Sequence, residues 1–521
     1  MTASNSERTE LVDAIRRAPG ADAPRYRAAE WFEKQGDEAS VARAAFIRAQ
    51  LALSSTRIHD AARAAHGASE LRLLKRWAKH WADAHPLLSK VSYRRGFAEY
   101  AHVHVRKFLP HRRELFALEP IRDVRVTGYY RPHEELSRAI ARCPEWQHVE
   151  TLRFHHQGPH HEPRAALLHL LESPHLEKLR RLLCTRFQFN ADDRRRFERL
   201  PLLERIDTLS MPTLDWFPSD PGPWFSEGWE TPARWSNLRS LALWDAQPDV
   251  LRQWTQLPWW PELRELELWA TGDALDVAAE TPLASLTSLT LSAGYYRMND
   301  DDSNEGAVLV DSLRESPLTK LDLRGAEGAI AALADTLSSS RWSLESLRLP
   351  RLDAALAESI ASARATHHLY DLAVGTTTSA ALEALASDGA PSLQTLSLSC
   401  SGERDGVGAA EPELVARFLR SPMCANLNAL GLGVGMLDAS VARAIESLEH
   451  LSLLSLTAQS EDTSARARVN EHMRDRWYVA PENDEAWPEE PEAMRAYVQR
   501  MRAASAPDKI VPLDAYIPRL K

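Results

Sequence analysis

The sequence predicts an α/β solenoid: a right-handed curved stack with a parallel sheet on its inner side and helices outside, entered from an N-terminal all-helical domain. Three observations predict it. An apolar pattern, LxxLxL, recurs thirteen times with successive starts 23 to 34 residues apart. Helix-compatible segments fill the intervals between copies. The first 90 or so residues carry helical patterning and no copy of the motif.

The bulk composition is compatible with that stack and excludes other classes. The chain has 521 residues, 44% of them hydrophobic and 26% charged, with a formal net charge of −10. Collagen-like, wholly disordered and disulfide-stapled chains do not look like this. Leu and Trp are in surplus, and nine of the 16 tryptophans fall between Trp216 and Trp269. The N-terminus, MTASNSERTE, has no basic stretch leading into an apolar one, and no uncharged run approaches the ~18 residues of a membrane span. Cys143, Cys184, Cys400 and Cys424 lie far apart with no CxxC. The expectation is a cytoplasmic protein with reduced thiols.

Taken in order, residues 7–18, 24–35, 39–65 and 70–84 read as helices, with Ala18-Pro19-Gly20 and Gln35-Gly36-Asp37 as stops. Weak copies of the motif follow at Ile121/Val124/Val126, Val149/Leu152/Phe154, Leu179/Leu182/Cys184 and Ile206/Leu209/Met211. Strong copies start at Leu238, Leu263, Leu286, Leu318, Leu344, Leu369, Leu393, Leu427 and Leu451. This spacing brackets the leucine-rich-repeat period of ~20–29 residues, with insertions. The last two apolar residues of each copy are two apart, so a strand points both into a core while its other residues face away. The intervals 274–280, 306–314, 329–338, 352–363, 379–387 and 413–419 supply the returning helices. One unit cannot bury its apolar face alone; stacking buries three motif residues per turn, each worth roughly 1.5–3 kcal/mol of transfer free energy. The expected divisions are a helical domain at 1–115, a solenoid of about thirteen repeats at 116–457 and a charged tail at 458–521 with a helix at 492–503.

The N-terminal segment resembles the bacterial repeat-companion domain. The residues that carry the likeness are the turn Asp22-Ala23-Pro24-Arg25, the helix Ala29-Glu30-Trp31-Phe32-Glu33 and the motif Phe46-Ile47-Arg48-Ala49-Gln50. Tyr93-Arg94-Arg95-Gly96-Phe97 and Glu114-Leu115-Phe116 look like the segments with which such proteins enter their repeats. Glu30 stands where the family usually has Asp, and a short insertion lies around residues 40–42. The resemblance implies a bacterial leucine-rich-repeat protein that acts as a recognition scaffold, and it brings no catalytic residue.

The tryptophans divide by position. Trp146, Trp235 and Trp260 each stand three residues before a repeat's first apolar position, and Trp342 stands two before one, which marks a packing slot. Trp244 and Trp269 directly follow the last leucine of their motifs, on the expected concave face. With Arg239, Arg264, Glu267, Arg324 and Arg348 they form the candidate partner-binding row. A Pro-rich insertion at 212–232 adds Trp216, Trp224 and Trp229, either as a local plug or as a groove wall.

Three further features carry chemistry. Residues 1–115 hold 21 basic against 13 acidic residues, and Arg76, Lys79, Arg94, Arg95, Arg106, Lys107, Arg112 and Arg113 form a candidate polyanion-binding region within 72–113. His155, His156, His160 and His161 flank a Gly-Pro turn without a metal-binding motif. Asp300-Asp301-Asp302-Ser303-Asn304-Glu305 imitates a calcium loop but has Glu305 where Gly is needed. No metal or cofactor is expected, and phosphate-loop, dinucleotide, nucleophile-elbow and HExxH motifs are missing. The sequence therefore points to a non-enzymatic scaffold that binds a protein on its concave face. The alternatives are nucleic-acid or polyanion binding through 72–113, and regulation of a partner enzyme such as a nucleotide hydrolase.

Overall fold

A computed structural model of the chain describes residues 3–56, 61–83, 91–127, 134–155, 163–185, 191–212, 235–246, 248–270, 272–293, 306–386, 393–400, 409–451, 453–473 and 477–479. Four helices come first: α1 (Ala3–Arg17), α2 (Ala23–Gln35), α3 (Glu38–Ser55) and α4 (Ala61–Asp83). Strands β1 (Val91–Arg94) and β2 (Phe97–His104) follow as a hairpin. The chain then alternates through α5 (Val105–Leu118), β3 (Asp123–Thr127), α6 (Glu134–Ala141), β4 (Thr151–His155), α7 (Pro163–Leu171), β5 (Arg181–Thr185), α8 (Ala191–Glu198), β6 (Thr208–Pro212) and β7 (Ser240–Ala246). It continues through α9 (Pro248–Trp254), β8 (Glu265–Ala270), α10 (Gly272–Ala279), β9 (Ser288–Ala293), α11 (Ala307–Ser312), β10 (Lys320–Gly325), α12 (Ile330–Ser339), β11 (Ser346–Leu352), α13 (Ala354–Ser362) and β12 (Asp371–Thr377). The last units are α14 (Ser379–Leu385), β13 (Thr395–Cys400), α15 (Pro412–Leu419), β14 (Ala429–Leu437), α16 (Ala439–Glu446), β15 (Leu453–Glu461), α17 (Thr463–His472) and β16 (Trp477–Val479).

Among the described residues, sixteen strands form one open sheet in sequence order, antiparallel at β1–β2 and parallel at every later pair. Register is set by the motif. The middle apolar residues stand directly opposite one another from strand to strand, as in Leu241, Leu266, Leu289, Leu321 and Leu347, and each is 2% exposed or less. A second ladder runs along the residue just before each strand. The carbonyl of Asp207 accepts both Arg239 N–H and Ser240 N–H, that of Arg239 accepts Arg264 and Glu265, and that of Arg264 accepts Thr287 and Ser288. From β3 to β14 each turn of the stack is thus tied to the next by a shared acceptor, so the backbone polar groups at this bend are satisfied. Outside the sheet, α15 buries Val415, Ala416, Phe418 and Leu419, and α16 buries Val441, Ala442, Ala444 and Ile445. Asp353, Asp438 and Asp462 cap α13, α16 and α17 by accepting backbone N–H bonds.

The solenoid fold is as the motif predicts, and its start differs from the expectation. Residues 91–104, read within a helical span, make the first two strands of the sheet. The 39–65 helix is two helices, since α3 ends at Ser55 and α4 begins at Ala61. The hairpin explains why three of the sequence segments quoted above belong together. Gly96 turns the hairpin at φ +90°, and a Cβ there would lie 2.4 Å from Ile47 Cγ1 and 2.6 Å from its Cα. Gly96 N–H donates to Gln50 Oε1, and the rings of Phe46 and Tyr93 meet edge to face at 5.4 Å. Helix α3 therefore seats directly on the hairpin, with no room for a side chain between them.

Buried ion pairs complete that joint. Arg25 on α2 donates to Glu99 on β2 at 2.6 Å, and Arg122 reaches Glu99 at 2.8 Å and Glu150 at 3.0 Å. Arg43 on α3 donates to both oxygens of Glu119, which also accepts Ala98 N–H. Burial alone would raise the Glu99 carboxyl, but Arg122 and Arg25 outweigh it and hold it below the usual carboxylate range.

Candidate functional site on the concave face

Strand β8 shows how the sheet builds its inner surface. Leu266, Leu268 and Ala270 are buried, and the alternating Glu265, Glu267 and Trp269 are half-buried on the opposite face. On that face Trp269 Nε1 donates to Glu267 Oε1 at 2.9 Å, so the indole plane is anchored by the carboxylate two residues earlier. Burial pushes the Glu267 carboxyl above its ordinary value; the Trp269 N–H opposes this, Asp322 adds to it and Arg324 subtracts from it. Ser240 Oγ donates to Glu265 Oε2 at 3.0 Å from the neighbouring strand. Trp244 stands in backbone register with Trp269, as does Ser292 on the other side.

The other candidate residues are not all on this patch. Arg239 and Arg264 precede β7 and β8, on the rim where the carbonyl ladder runs, five residues from the tryptophans and so about 16 Å away along the strand. The Arg239 guanidinium folds back onto the carbonyls of Leu238 and Ser236. Arg324 is exposed and clasps Asp322, two residues away, through three bonds of 2.8 to 3.2 Å. Arg348 is on the inner row opposite Asp322, but it is 5% exposed and is held by Asp371 at 3.1 Å. Asp371 also accepts from Ser346 Oγ at 2.7 Å. Sequence reading missed Asp371 as the residue that answers Arg348. The signal was available: Asp371 immediately precedes Leu372 as Ser346 precedes Leu347, so aligning the motifs places it beside Ser346 on the next strand.

The inner face changes character along the stack. Strands β3 to β5 bring Arg125, Arg153 and Arg181 near one carboxylate, Asp123, which takes Arg153 in a bidentate pair at 2.8 Å. Strands β7 to β9 contain no Lys or Arg. From β12 to β15 the equivalent register positions are Ala373, Ser397, Gly431 and Ser455, small and uncharged.

The basic N-terminal region is largely engaged with neighbouring carboxylates. Arg76 pairs with Glu38, Lys79 with Asp83 at 2.6 Å, Arg95 with Asp22 and Arg112 with Glu145 at 3.2 Å. Arg113 approaches Glu145 at 3.9 Å, Arg94 is half-buried on β1, and Arg106 and Lys107 are exposed at the start of α5. The loop with Trp216, Trp224 and Trp229, the histidines from His156 to His161, the acidic run from Asp300 to Glu305 and the tail helix all lie outside the described residues. The four packing-slot tryptophans are 3% exposed or less, and Trp146 and Trp342 donate to the carbonyls of Ile140 and Leu313. Among the described residues no group of three or more His, Cys, Asp or Glu is arranged to hold a metal, and no helix is long and apolar enough to cross a membrane.

No family model matches the chain, and no curated protein matches it in sequence. Among solved structures it is similar to a leucine-rich-repeat protein of Leptospira interrogans, at 12% identity over 70% of this chain and 90% of that one, with a TM-score of 0.29.

Proposed function

We propose that this protein is a non-enzymatic recognition scaffold that binds a partner protein on the concave face of its solenoid. The observation that carries this is the β8 patch, where an indole is held on the inner sheet face by Glu267 with a second tryptophan in register on β7. An aromatic side chain fixed on a rigid, half-exposed surface is pre-organised for burial by a partner, which keeps the ordering cost of binding low. The cysteines support a role without chemistry at a thiol. All four are buried, and burial pushes Cys143 up to about 11 and Cys400 and Cys424 up to about 12, the wrong direction for a nucleophile. No specific observation favours polyanion binding or regulation of a nucleotide hydrolase.

Replacing Trp244 and Trp269 together with Ala is expected to abolish capture of the partner from the native cell while leaving the melting curve close to that of the parent. Unchanged capture would overturn the proposal. A collapsed melting curve would reassign the pair to the core.

A further inference from the structure

Three neighbouring strands, β7 to β9, carry Glu265 and Glu267 on the inner face and no cationic residue anywhere in their lengths. The adjacent strand β10 carries Lys320 and Arg324, and Arg324 is bonded to Asp322. Among the described residues Glu267 has no ion pair; its hydrogen bond comes from Trp269, whose N–H is neutral. Arg324 offsets the burial of this carboxylate only in part, Asp322 works against it, and no cation pairs with it directly, so its charge is incompletely compensated.

We infer that Glu267 and Trp269 form a subsite for a cationic side chain, lysine or arginine, presented by the protein partner; this deepens the concave-face reading and rests on it. A cation answers both halves of the pair at once. It neutralises the Glu267 carboxylate and lies against the electron-rich indole of Trp269, whose ring the hydrogen bond already orients. Glu265, two residues before Glu267 on the same face, adds a second negative charge, and its bond from Ser240 keeps it turned toward β7. A neutral or acidic group would cover Glu267 without compensating it, so the patch discriminates by charge. The basic stretch of the inner face, with Arg125 and Arg181, lies five and three strands away from β8.

The test uses the full chain and fluorescein-labelled peptides of alternating Arg and Gly, with Glu-Gly and citrulline-Gly versions of the same length, read by fluorescence anisotropy at low and raised salt. The Arg peptide is expected to bind and the Glu and citrulline peptides not to bind. Glu267→Gln and Trp269→Leu are each expected to weaken the Arg peptide about tenfold or more. Glu383→Gln, on the outer helix α14 where Glu383 pairs with Arg417, changes it less than about twofold. Melting curves at neutral pH establish that each variant is folded; Glu267→Gln loses a crowded charge and should not be less stable. Equal binding of the Arg peptide by the parent, Glu267→Gln and Trp269→Leu overturns the subsite, as does equal binding of the citrulline peptide. If the tryptophan double variant loses the native partner but Glu267→Gln keeps it at parental affinity, the subsite falls and the concave-face reading stands. If the Arg peptide depends on Glu267 but the native partner is captured regardless of either tryptophan, the concave-face reading falls on its own evidence.

Discussion

At Glu267 the fold raises a carboxyl's proton affinity above that in the unfolded chain. Its raised pKa means the folded state binds the proton more tightly than the unfolded chain, so its contribution to stability is fully present below the unfolded value and is lost as pH rises through the folded one. Glu267→Gln is therefore expected to raise the melting temperature relative to the parent at neutral pH, with the difference vanishing as pH falls below the ordinary carboxylate range. A constant difference at every pH would show that the charge is well solvated. Gly96 is a second residue-scale test. With φ at +90° and Ile47 within 2.7 Å of any Cβ, Gly96→Ala should cost at least about 1–3 kcal/mol of backbone strain before the overlap is relieved. A wild-type melting curve would mean that α3 is not seated on the hairpin.

Among elements, the strands were legible and the joint between the helical domain and the sheet was not. Each LxxLxL copy marks a strand because two leucines two residues apart can share only a pleated face, and the observed register follows the motif from β3 to β15. The hairpin at 91–104 carries no such copy: Val91, Tyr93, Phe97, Ala101 and Val103 are buried against helices contributed from far away in sequence. The pairs that join the helices to the sheet, Arg25 with Glu99 and Arg43 with Glu119, were equally invisible, because their members lie 74 and 76 residues apart. Of the candidate row, alternation correctly separated Trp269 and Glu267 from the core. It could not show that Arg239 and Arg264 sit on the rim, since both precede the first strand residue. The joint should be the acid-labile part of the molecule. Glu99 is held below its ordinary value, and burial beside Arg16 and Lys178 pushes His148 down to about 4. Both groups give stability that is present above their unfolded values and is lost as pH falls through the folded ones, from about 6.5 down to 4 for His148. Hydrogen exchange is expected to show α1 to α3 losing protection before β9 to β14 as pH drops through that window; simultaneous loss would contradict this.

Across the whole molecule, each unit contacts chiefly the units before and after it, and the shared carbonyl acceptors make that coupling continuous. Leu289→Ala, in the middle of the stack between Leu266 and Leu321, is expected to cost about 2–5 kcal/mol, with increased hydrogen exchange confined mainly to β8, β9 and β10. Uniform loss along all sixteen strands would mean that the solenoid unfolds as one block. The same rigidity sets the inner face as a fixed sequence of basic, acidic-aromatic, ion-paired and small neutral zones. Whether that face receives a partner is decided by a photo-crosslinking amino acid placed in turn at Ser292, in register beside Trp269, and at Arg417 on outer helix α15. Adducts with the native partner at Ser292 and none at Arg417 are predicted; adducts at Arg417 alone would place recognition on the outer helices and contradict the concave-face reading.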